Sequence, residues 1–291
     1  MTDCAVRIQG LSKRFGPTLA VDDVDLEIPR GSIFGLIGPN GAGKTTTLSI
    51  LATLVRPTSG EAEVLGHSPI REPRAVRRRL GYMPDQLGVY DDMSVDEYLG
   101  FFAAAHDIHR RDRAALVAGL LELVDLTVKA EAPVQSLSRG MKQRLSLARV
   151  LVHDPELLLL DEPASGLDPR ARVELRDLVT RLQGMGKTII ISSHILAELE
   201  QVCTDVAIME AGRLLASGAP SEILEQLGGG RVIQVTFADG SNEQFTVADE
   251  AEQEALLRRL VTSENRPVVE FTRTGGGLED LFLSLTEGIV Q

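Results

Sequence analysis

The chain has 291 residues, of which 43% are hydrophobic, and it carries a formal net charge of −12. This length is sufficient for one large domain with a sizeable hydrophobic core and for a second, smaller domain. The acidic balance, without a lysine- or arginine-rich tract of the kind that neutralises phosphates, argues against nucleic acid as a partner. Cys4 and Cys203 are the only cysteines and have no metal-ligand spacing, so both are expected to be free thiols in a reducing compartment.

The sequence also argues against a membrane-spanning or secreted chain. No apolar stretch approaches the ~18 residues that a bilayer-spanning helix needs. The first thirty residues include four aspartates and do not resemble a signal peptide. We therefore expect the chain to remain in the cytoplasm.

Apolar residues in the first 220 positions alternate between strand and helix periodicity, which predicts an α/β domain with a mainly parallel sheet. A helical pattern from 95 to 126, ended by Pro133, predicts a helical insert of about residues 85–133. The strand-like runs are residues 5–8, 19–28, 32–37, 157–160, 188–191 and 206–209, with helices around 138–152 and 170–182.

The composition changes after Gly218 and Pro220. Residues 221–230 are expected to form a linker with a short helix, and residues 231–291 a small α+β accessory domain. This last domain has five basic and eleven acidic residues and contains no recognisable catalytic constellation. Its expected elements are a hairpin of residues 231–237 and 242–247, a helix at 249–260, a strand at 268–272 and a last helix at 278–285.

The clearest chemical motif is a glycine-rich loop between a strand-like run and a helix start. In such a loop backbone N–H groups cradle phosphates, the lysine reaches the outer phosphates, and the hydroxyl holds Mg²⁺. The sequence therefore predicts a nucleotide site. The residues of this phosphate loop are Gly38, Pro39, Asn40, Gly41, Ala42, Gly43, Lys44 and Thr45.

Two adjacent carboxylates, Asp161 and Glu162, follow the apolar run of residues 157–160. Ligands of open α/β sheets bind at the carboxyl ends of strands, so Asp161 is expected to serve the Mg²⁺ shell. Glu162 is then placed to polarise a water for attack on the γ-phosphate. The simpler alternative is that both carboxylates cap the helix that follows.

A third motif begins at Ser138, which is a good N-cap for a helix with an apolar stripe. The helix N-terminus attracts anions, and Gly140 allows a close approach. By itself this segment is equally an ordinary capped core helix.

The order of these motifs resembles that of the nucleotide-binding subunits of ABC transporters, over about residues 3–220. The resemblance implies a phosphate-loop nucleotide triphosphatase core with a mainly parallel sheet, an antiparallel β subdomain and the helical insert. It places the signature at residues 137–141, a loop that crosses to a partner subunit at residues 165–168, and the switch histidine at His194. The nucleotide contacts that it implies are the phosphate loop with Thr46, and Phe15, Ser138, Gly140 and Asp168.

The sequence departs from the family pattern at two places. The signature has Arg139 and Met141 where many members have glycine and glutamine. The metal- and water-sensing glutamine of the family aligns with Asp85, and Gln86 follows one residue late. Both are candidates, with Asp85 preferred, because a carboxylate also accepts from water or binds Mg²⁺.

By resemblance, the chain hydrolyses ATP with Mg²⁺ as a dimer with a second copy, in which Ser138 of one subunit completes the site of Lys44 of the other. It would drive export through a separately encoded membrane permease, from the cytoplasmic face of the membrane. The alternative is an ABC-type mechanical ATPase acting on ribosomes or DNA, but such proteins carry two ATPase halves or long coiled coils, which this sequence lacks.

Overall fold

The computed structural model describes residues 4–85, 88, 92–195, 199, 202–226, 231–247 and 250–275. Its contacts divide the chain into two units, Met1–Ser217 and Gly218–Gln291. The expected boundary at residue 220 lies close to this division. Within the described ranges, no helix has both the length and the apolar character that crossing a bilayer requires.

The first unit is built from alternating strands and helices. Its helices are α1 (Lys44–Leu51), α2 (Pro73–Arg79), α3 (Val95–Ala105), α4 (Arg110–Leu123), α5 (Arg139–Leu151) and α6 (Pro169–Gly184). Its strands are β1 (Cys4–Phe15), β2 (Thr18–Pro29), β3 (Ile33–Ile37), β4 (Ser59–Val64), β5 (Leu80–Met83), β6 (Leu157–Leu160), β7 (Thr188–Ser193), β8 (Asp205–Glu210) and β9 (Arg213–Gly218).

A six-stranded sheet in the order β5-β6-β7-β3-β8-β9 forms the centre of this unit. The pairs β5–β6, β6–β7, β7–β3 and β3–β8 are all parallel. Every residue of β3, β6 and β7 is buried, as expected for strands that are covered on both faces. The carboxyl ends of β6, β7 and β3 are therefore neighbours, and the predicted motifs follow these three strands.

A second sheet, β2-β1-β4, is antiparallel. Side chains from both sheets and from α1 share one hydrophobic core, for example Ile8, Leu48 and Leu159. The predicted α/β fold, with a mostly parallel sheet and an antiparallel sheet, is confirmed.

The helical insert consists of α3 and α4, followed by 3₁₀ turns at Thr127–Lys129 and Val134–Ser136. Ser94 and Glu97 form a capping box at the start of α3. Both helices contact α5, and the Arg149 guanidinium lies 5.4 Å from the centre of the Phe102 ring. The insert is thus packed directly on the helix that carries the signature residues.

The second unit contains α7 (Pro220–Gln226), β10 (Arg231–Phe237), β11 (Asn242–Val247), α8 (Glu250–Arg258) and β12 (Val268–Gly275). Strand β10 pairs antiparallel with both β11 and β12. Leu256 and Leu260 pack with Ile233, Val235 and Phe237 in a separate small core. The expected last helix, 278–285, lies outside the described residues.

Candidate active site

The phosphate loop joins the carboxyl end of β3 to α1 and packs tightly against neighbouring backbone. A Cβ atom at Gly38 would lie 2.2 Å from the carbonyl oxygen of Met209. Gly43 has φ of 100°, and a Cβ atom there would lie 2.5 Å from the carbonyl oxygen of Ala20. Only glycine fits these two positions, so the shape of the loop explains its composition.

The N-terminus of α1 has the properties of an anion site. The helix begins at Lys44 without a side-chain cap and without an acidic residue in its first turn. The helix dipole and the terminal N–H groups therefore favour a negatively charged ligand. Lys44 is only 5% exposed, and its Nζ donates to the carbonyl oxygens of Gly38 at 2.7 Å and Pro39 at 3.2 Å. The ammonium group is thus held within the loop itself.

Asp161 lies at the carboxyl end of β6 and is only 1% exposed. Its Oδ1 accepts hydrogen bonds from the hydroxyls of Ser192 at 2.6 Å and Thr45 at 3.1 Å. The Tyr82 side chain of β5 lies near Asp161 and near Ser49 of α1, since both influence the pKa of its hydroxyl. Hydroxyl groups from α1 and β7 therefore hydrogen-bond to this buried carboxylate, and the Tyr82 hydroxyl of β5 lies close by.

Burial raises the pKa of the Asp161 carboxyl above its ordinary value, and the charges of Glu162 and Asp85 act in the same direction. The hydrogen bonds from Ser192 and Thr45 oppose this shift. The charged form of this carboxylate is consequently less favourable here than in water.

Glu162 follows with a strained backbone, since its φ is 47°, a value in the left-handed region. The Glu162 N–H donates to Ser192 Oγ at 2.9 Å. Its Oε2 lies 2.7 Å from His194 Nδ1, and its Oε1 lies 3.2 Å from Lys44 Nζ. Oε1 is buried, and apart from this ion pair with Lys44 it has no hydrogen-bond partner within the described part of the chain.

The side chain that caps α6 is Asp168, whose carboxylate accepts from the N–H of Ala171 at 2.8 Å. Asp161 and Glu162 instead point to Thr45, Ser192, Lys44 and His194. The capping alternative for these two carboxylates is therefore wrong.

The oxygen groups at this site fit Mg²⁺. Thr45 and Asp161 supply a hydroxyl and a carboxylate that already touch each other. Among the described residues no group of three or more His, Cys, Asp or Glu side chains forms a complete metal site. Mg²⁺ characteristically takes one or two protein ligands and completes its shell with phosphate and water, which suits delivery with a nucleotide.

Asp85 is the second residue after β5 and is exposed. Its negative charge contributes to the raised pKa of both Asp161 and Tyr82, which places it near the carboxylates. Gln86 lies outside the described residues.

The signature residues belong to a different surface, formed by the N-termini of α5 and α6. Ser138 is the N-cap of α5, as predicted, and accepts from the N–H of Met141 at 3.3 Å. A Cβ atom at Gly140 would lie 3.0 Å from the Cβ of Ala171. Close packing against α6 is thus one reason for glycine at this position.

No hydrogen bond or ion pair of the described residues joins Ser138 to Lys44, Thr45, Asp161 or Glu162. The nearest link runs through Gln143, whose Nε2 donates to the carbonyl oxygen of Pro163 at 2.6 Å. Gln143 is buried on α5, so it connects the signature helix to the segment that follows Glu162.

The Arg139 side chain lies on the loop of residues 165–168 in the same chain. A Cβ atom at Gly166, where φ is 66°, would lie 2.4 Å from the Cζ atom of Arg139. The Arg139 guanidinium therefore packs against Gly166.

Phe15 ends β1 and is 47% exposed, which is unusual for a phenylalanine. The ammonium group of Lys13 lies 4.6 Å from its ring centre. An exposed ring of this kind is available for stacking, and it does not belong to the core.

Comparison with known proteins agrees with the geometry of this site. The family described as ABC transporter matches residues 21–165. The daunorubicin resistance ATP-binding protein DrrA3 of Streptomyces coeruleorubidus is 39% identical over 232 residues, covering 80% of this chain and 73% of that protein. The Nod factor export ATP-binding protein I of Burkholderia orbicola (strain AU 1054) is 36% identical over 298 residues, covering 98% of both chains. This chain belongs to the ABC transporter family. It is an ATP-binding protein of that family and an ATPase.

A solved structure described as the ATP-binding subunit of an ABC transporter is also similar to this ABC ATPase. The TM-score is 0.69 at 29% sequence identity, over 77% of this chain and 93% of the other. The family resemblance and the fold predicted from the motifs are both confirmed.

Two residues of this ABC ATPase lie at the acidic pair but were not predicted from the sequence. These residues are Ser192, which hydrogen-bonds to Asp161, and Tyr82, which lies near it. The available signal was their position at the ends of strands that precede motif residues. A strand end, however, does not reveal which hydroxyl turns toward the carboxylate.

Asp161→Asn is expected to raise the melting temperature of the nucleotide-free ABC ATPase at pH 7. The folded-state pKa of Asp161 lies above its unfolded value, so its stabilising contribution is present at low pH and is lost as the pH rises through that interval. Asparagine is neutral at every pH and avoids this loss. Melting curves from pH 8 down toward the ordinary aspartate pKa should show the gain shrinking toward acid, and an equal or lower melting temperature at pH 7 would contradict the prediction.

Proposed function

We propose that this chain is the ATPase subunit of an exporter, working as a dimer around two Mg²⁺-ATP and driving a permease made as a separate polypeptide. ATP-binding subunits of this family generally pair with membrane permease subunits. Export is supported by the similarity to relatives named for Nod factor export and for daunorubicin resistance. The alignment with the Nod factor export protein covers 98% of this chain. On this proposal the subunit acts at the cytoplasmic face of the membrane.

The observation that carries the dimer is the separation of two half-sites within one chain. One half consists of Lys44, Thr45, Asp161, Glu162 and His194, which contact one another directly. The other half, at the N-termini of α5 and α6, offers Ser138 without a hydrogen bond or ion pair to that group in the described residues. A second copy, turned head to tail, brings the second half onto the ATP of the first.

In the proposed mechanism, Lys44 and the α1 N-terminus bind the outer phosphates, and Phe15 stacks on the base. When bound, Mg²⁺ supplies charge neutralisation at the phosphates next to Thr45 and Asp161. His194 holds Oε2 of Glu162, and Oε1 lies 3.2 Å from the Lys44 ammonium group. When Lys44 turns to the phosphates of bound ATP, Oε1 is left to accept the proton of the attacking water. Asp168 caps its own helix α6, and in the proposed dimer it also lies next to the nucleotide bound by the partner subunit.

The dimer is tested by mixing two inactive variants, Lys44→Ala and Ser138→Arg. In a head-to-tail dimer each mixed pair has one site with both Lys44 and Ser138 intact, so random pairing restores about a quarter of the wild-type sites. If each chain completes its own site, the mixture stays inactive and the dimer proposal fails. The same two proteins assayed singly are the controls.

The permease is tested by isolating the tagged chain from detergent-solubilised membranes of cells that express its neighbouring genes. A copurifying integral membrane protein that stimulates hydrolysis supports the transporter. Copurification with ribosomes or DNA instead would favour a mechanical ATPase and overturn the proposal.

Asp85→Ala and Gln86→Ala decide which residue senses the metal. We expect Asp85→Ala to raise the Mg²⁺ concentration needed for half-maximal hydrolysis by about tenfold or more, because an outer oxygen ligand is lost. Gln86→Ala should leave that concentration within about twofold of wild type. The measurement is ATPase activity against free Mg²⁺ at saturating ATP, and an effect confined to Gln86 would show that the glutamine keeps the family role.

A further inference from the structure

One buried hydroxyl group joins both members of the acidic pair. Ser192 lies on β7 and is 0% exposed. Its Oγ lies 2.6 Å from Oδ1 of Asp161 and 2.9 Å from the backbone nitrogen of Glu162. Since an amide can only donate, the Glu162 N–H fills an acceptor position of Ser192. The single hydroxyl proton of Ser192 is therefore directed to Asp161.

The register of the sheet explains why this hydroxyl reaches both residues. Leu160 pairs with Ile191 between parallel β6 and β7, so the next residues, Asp161 and Ser192, are also side by side. Two residues later in the same segment, His194 lies 2.7 Å from the Glu162 side chain. The segment from Ser192 to His194 thus contacts the acidic pair at three points, which are the Asp161 carboxylate, the Glu162 backbone and the Glu162 carboxylate.

The backbone of Glu162 needs such support. A glutamate with φ of 47° is strained, and a strained conformation persists only where surrounding contacts determine it. The hydrogen bond from the Glu162 N–H to Ser192 Oγ is one such contact, and it acts on the peptide unit that aims the side chain. Without it, the peptide is free to relax and the carboxylate to swing from its place.

We propose that Ser192 is a positioning residue for ATP hydrolysis, whose one hydroxyl sets the orientation of the Asp161 carboxylate and of the peptide that carries Glu162. It contacts neither ATP nor water in this role and acts through the two carboxylates. This inference rests on the proposed metal role of Asp161 and base role of Glu162.

Ser192→Ala is compared with Ser146→Ala in the full-length protein. Ser146 is also a buried serine, on α5, but its hydroxyl has no hydrogen-bond partner in the described ranges. We expect Ser192→Ala to lower kcat by about 10- to 100-fold, the usual effect of removing a partner that orients a metal ligand. KM for ATP should change by less than about threefold, since Lys44 and the phosphate loop are untouched. Ser146→Ala should match the wild type in both constants.

A second readout is independent of turnover. Mn²⁺ binding in the presence of a non-hydrolysable ATP analogue, followed by electron paramagnetic resonance, should weaken by about tenfold or more in Ser192→Ala. Binding of a fluorescent ATP analogue in EDTA should stay unchanged. Melting curves of the three proteins show whether any loss comes from unfolding.

The outcomes separate the inference from the functions on which it rests. Wild-type kcat and Mn²⁺ affinity in Ser192→Ala would overturn the role of Ser192. Parallel losses of kcat, metal-free nucleotide binding and melting temperature would also overturn it, because they indicate a purely structural serine. If Asp161→Asn binds Mn²⁺ as tightly as the wild type, the proposed metal role of Asp161 fails instead.

Discussion

Glu162→Gln is expected to bind ATP as tightly as the wild type and to lose hydrolysis by about 10²- to 10⁴-fold, the usual contribution of a general base. Glutamine keeps the shape of the side chain and an oxygen that can face His194, but it cannot accept the water proton. Because ATP then stays uncut, the variant should accumulate as an ATP-bound dimer. Single-turnover hydrolysis, nucleotide binding and size-exclusion chromatography with ATP measure the three effects.

The matched control is Glu122→Gln, which makes the same change on the exposed surface of α4. It should behave as the wild type in all three measurements. Undiminished hydrolysis by Glu162→Gln would rule out Glu162 as the base. Loss of ATP binding together with hydrolysis would show that Glu162 serves the loop through Lys44 rather than the reaction.

Lys44→Ala is expected to weaken ATP binding itself by about 10- to 100-fold. A hydrogen bond from a charged group contributes about 1.5–3 kcal/mol, and each 1.4 kcal/mol changes affinity tenfold. Hydrolysis should fall below detection, since the positive charge of the lysine also stabilises the negative charge on the transferred phosphoryl group. Equilibrium titration with a fluorescent ATP analogue gives the affinity.

The control for this change is Lys129→Ala, which removes an exposed lysine from the helical insert. It should leave the affinity unchanged. Lys44→Ala also removes a buried ammonium group that holds the carbonyl oxygens of Gly38 and Pro39, so melting curves accompany the titration. A folded variant with wild-type affinity for ATP would contradict the role of the phosphate loop.

The two largest predictions concern residues that were identified from sequence, and the reason is local. The phosphate loop is one contiguous segment whose backbone shape, set by Gly38 and Gly43, places its own lysine and hydroxyl. Asp161 and Glu162 directly follow an apolar strand, so the strand end positions them. His194 entered by resemblance alone, and its contact with Glu162 came only with the structure.

Other contacts could not be predicted, because they join segments that are distant in sequence. Tyr82 lies near Asp161 across β5 and β6, and Ser192 hydrogen-bonds to it across β6 and β7. Arg139 meets Gly166 only because α5 and α6 begin on the same surface. Periodicity gives each segment a type but does not state which strand lies beside which, nor which hydroxyl turns toward a carboxylate.

By itself, the sequence determined the fold class, the family, the nucleotide-binding loop and the identity of the acidic pair, since these depend on periodicity and on contiguous motifs. The tertiary structure decided how that pair is held. The parallel register of β6 and β7 sets Ser192 beside Asp161 and under the Glu162 peptide, and His194 next to the Glu162 side chain. In the described residues no hydrogen bond or ion pair joins Ser138 to Lys44, and Gly140 packs against Ala171 of α6. These contacts result from non-local strand pairing and helix packing, which no single segment of the sequence specifies.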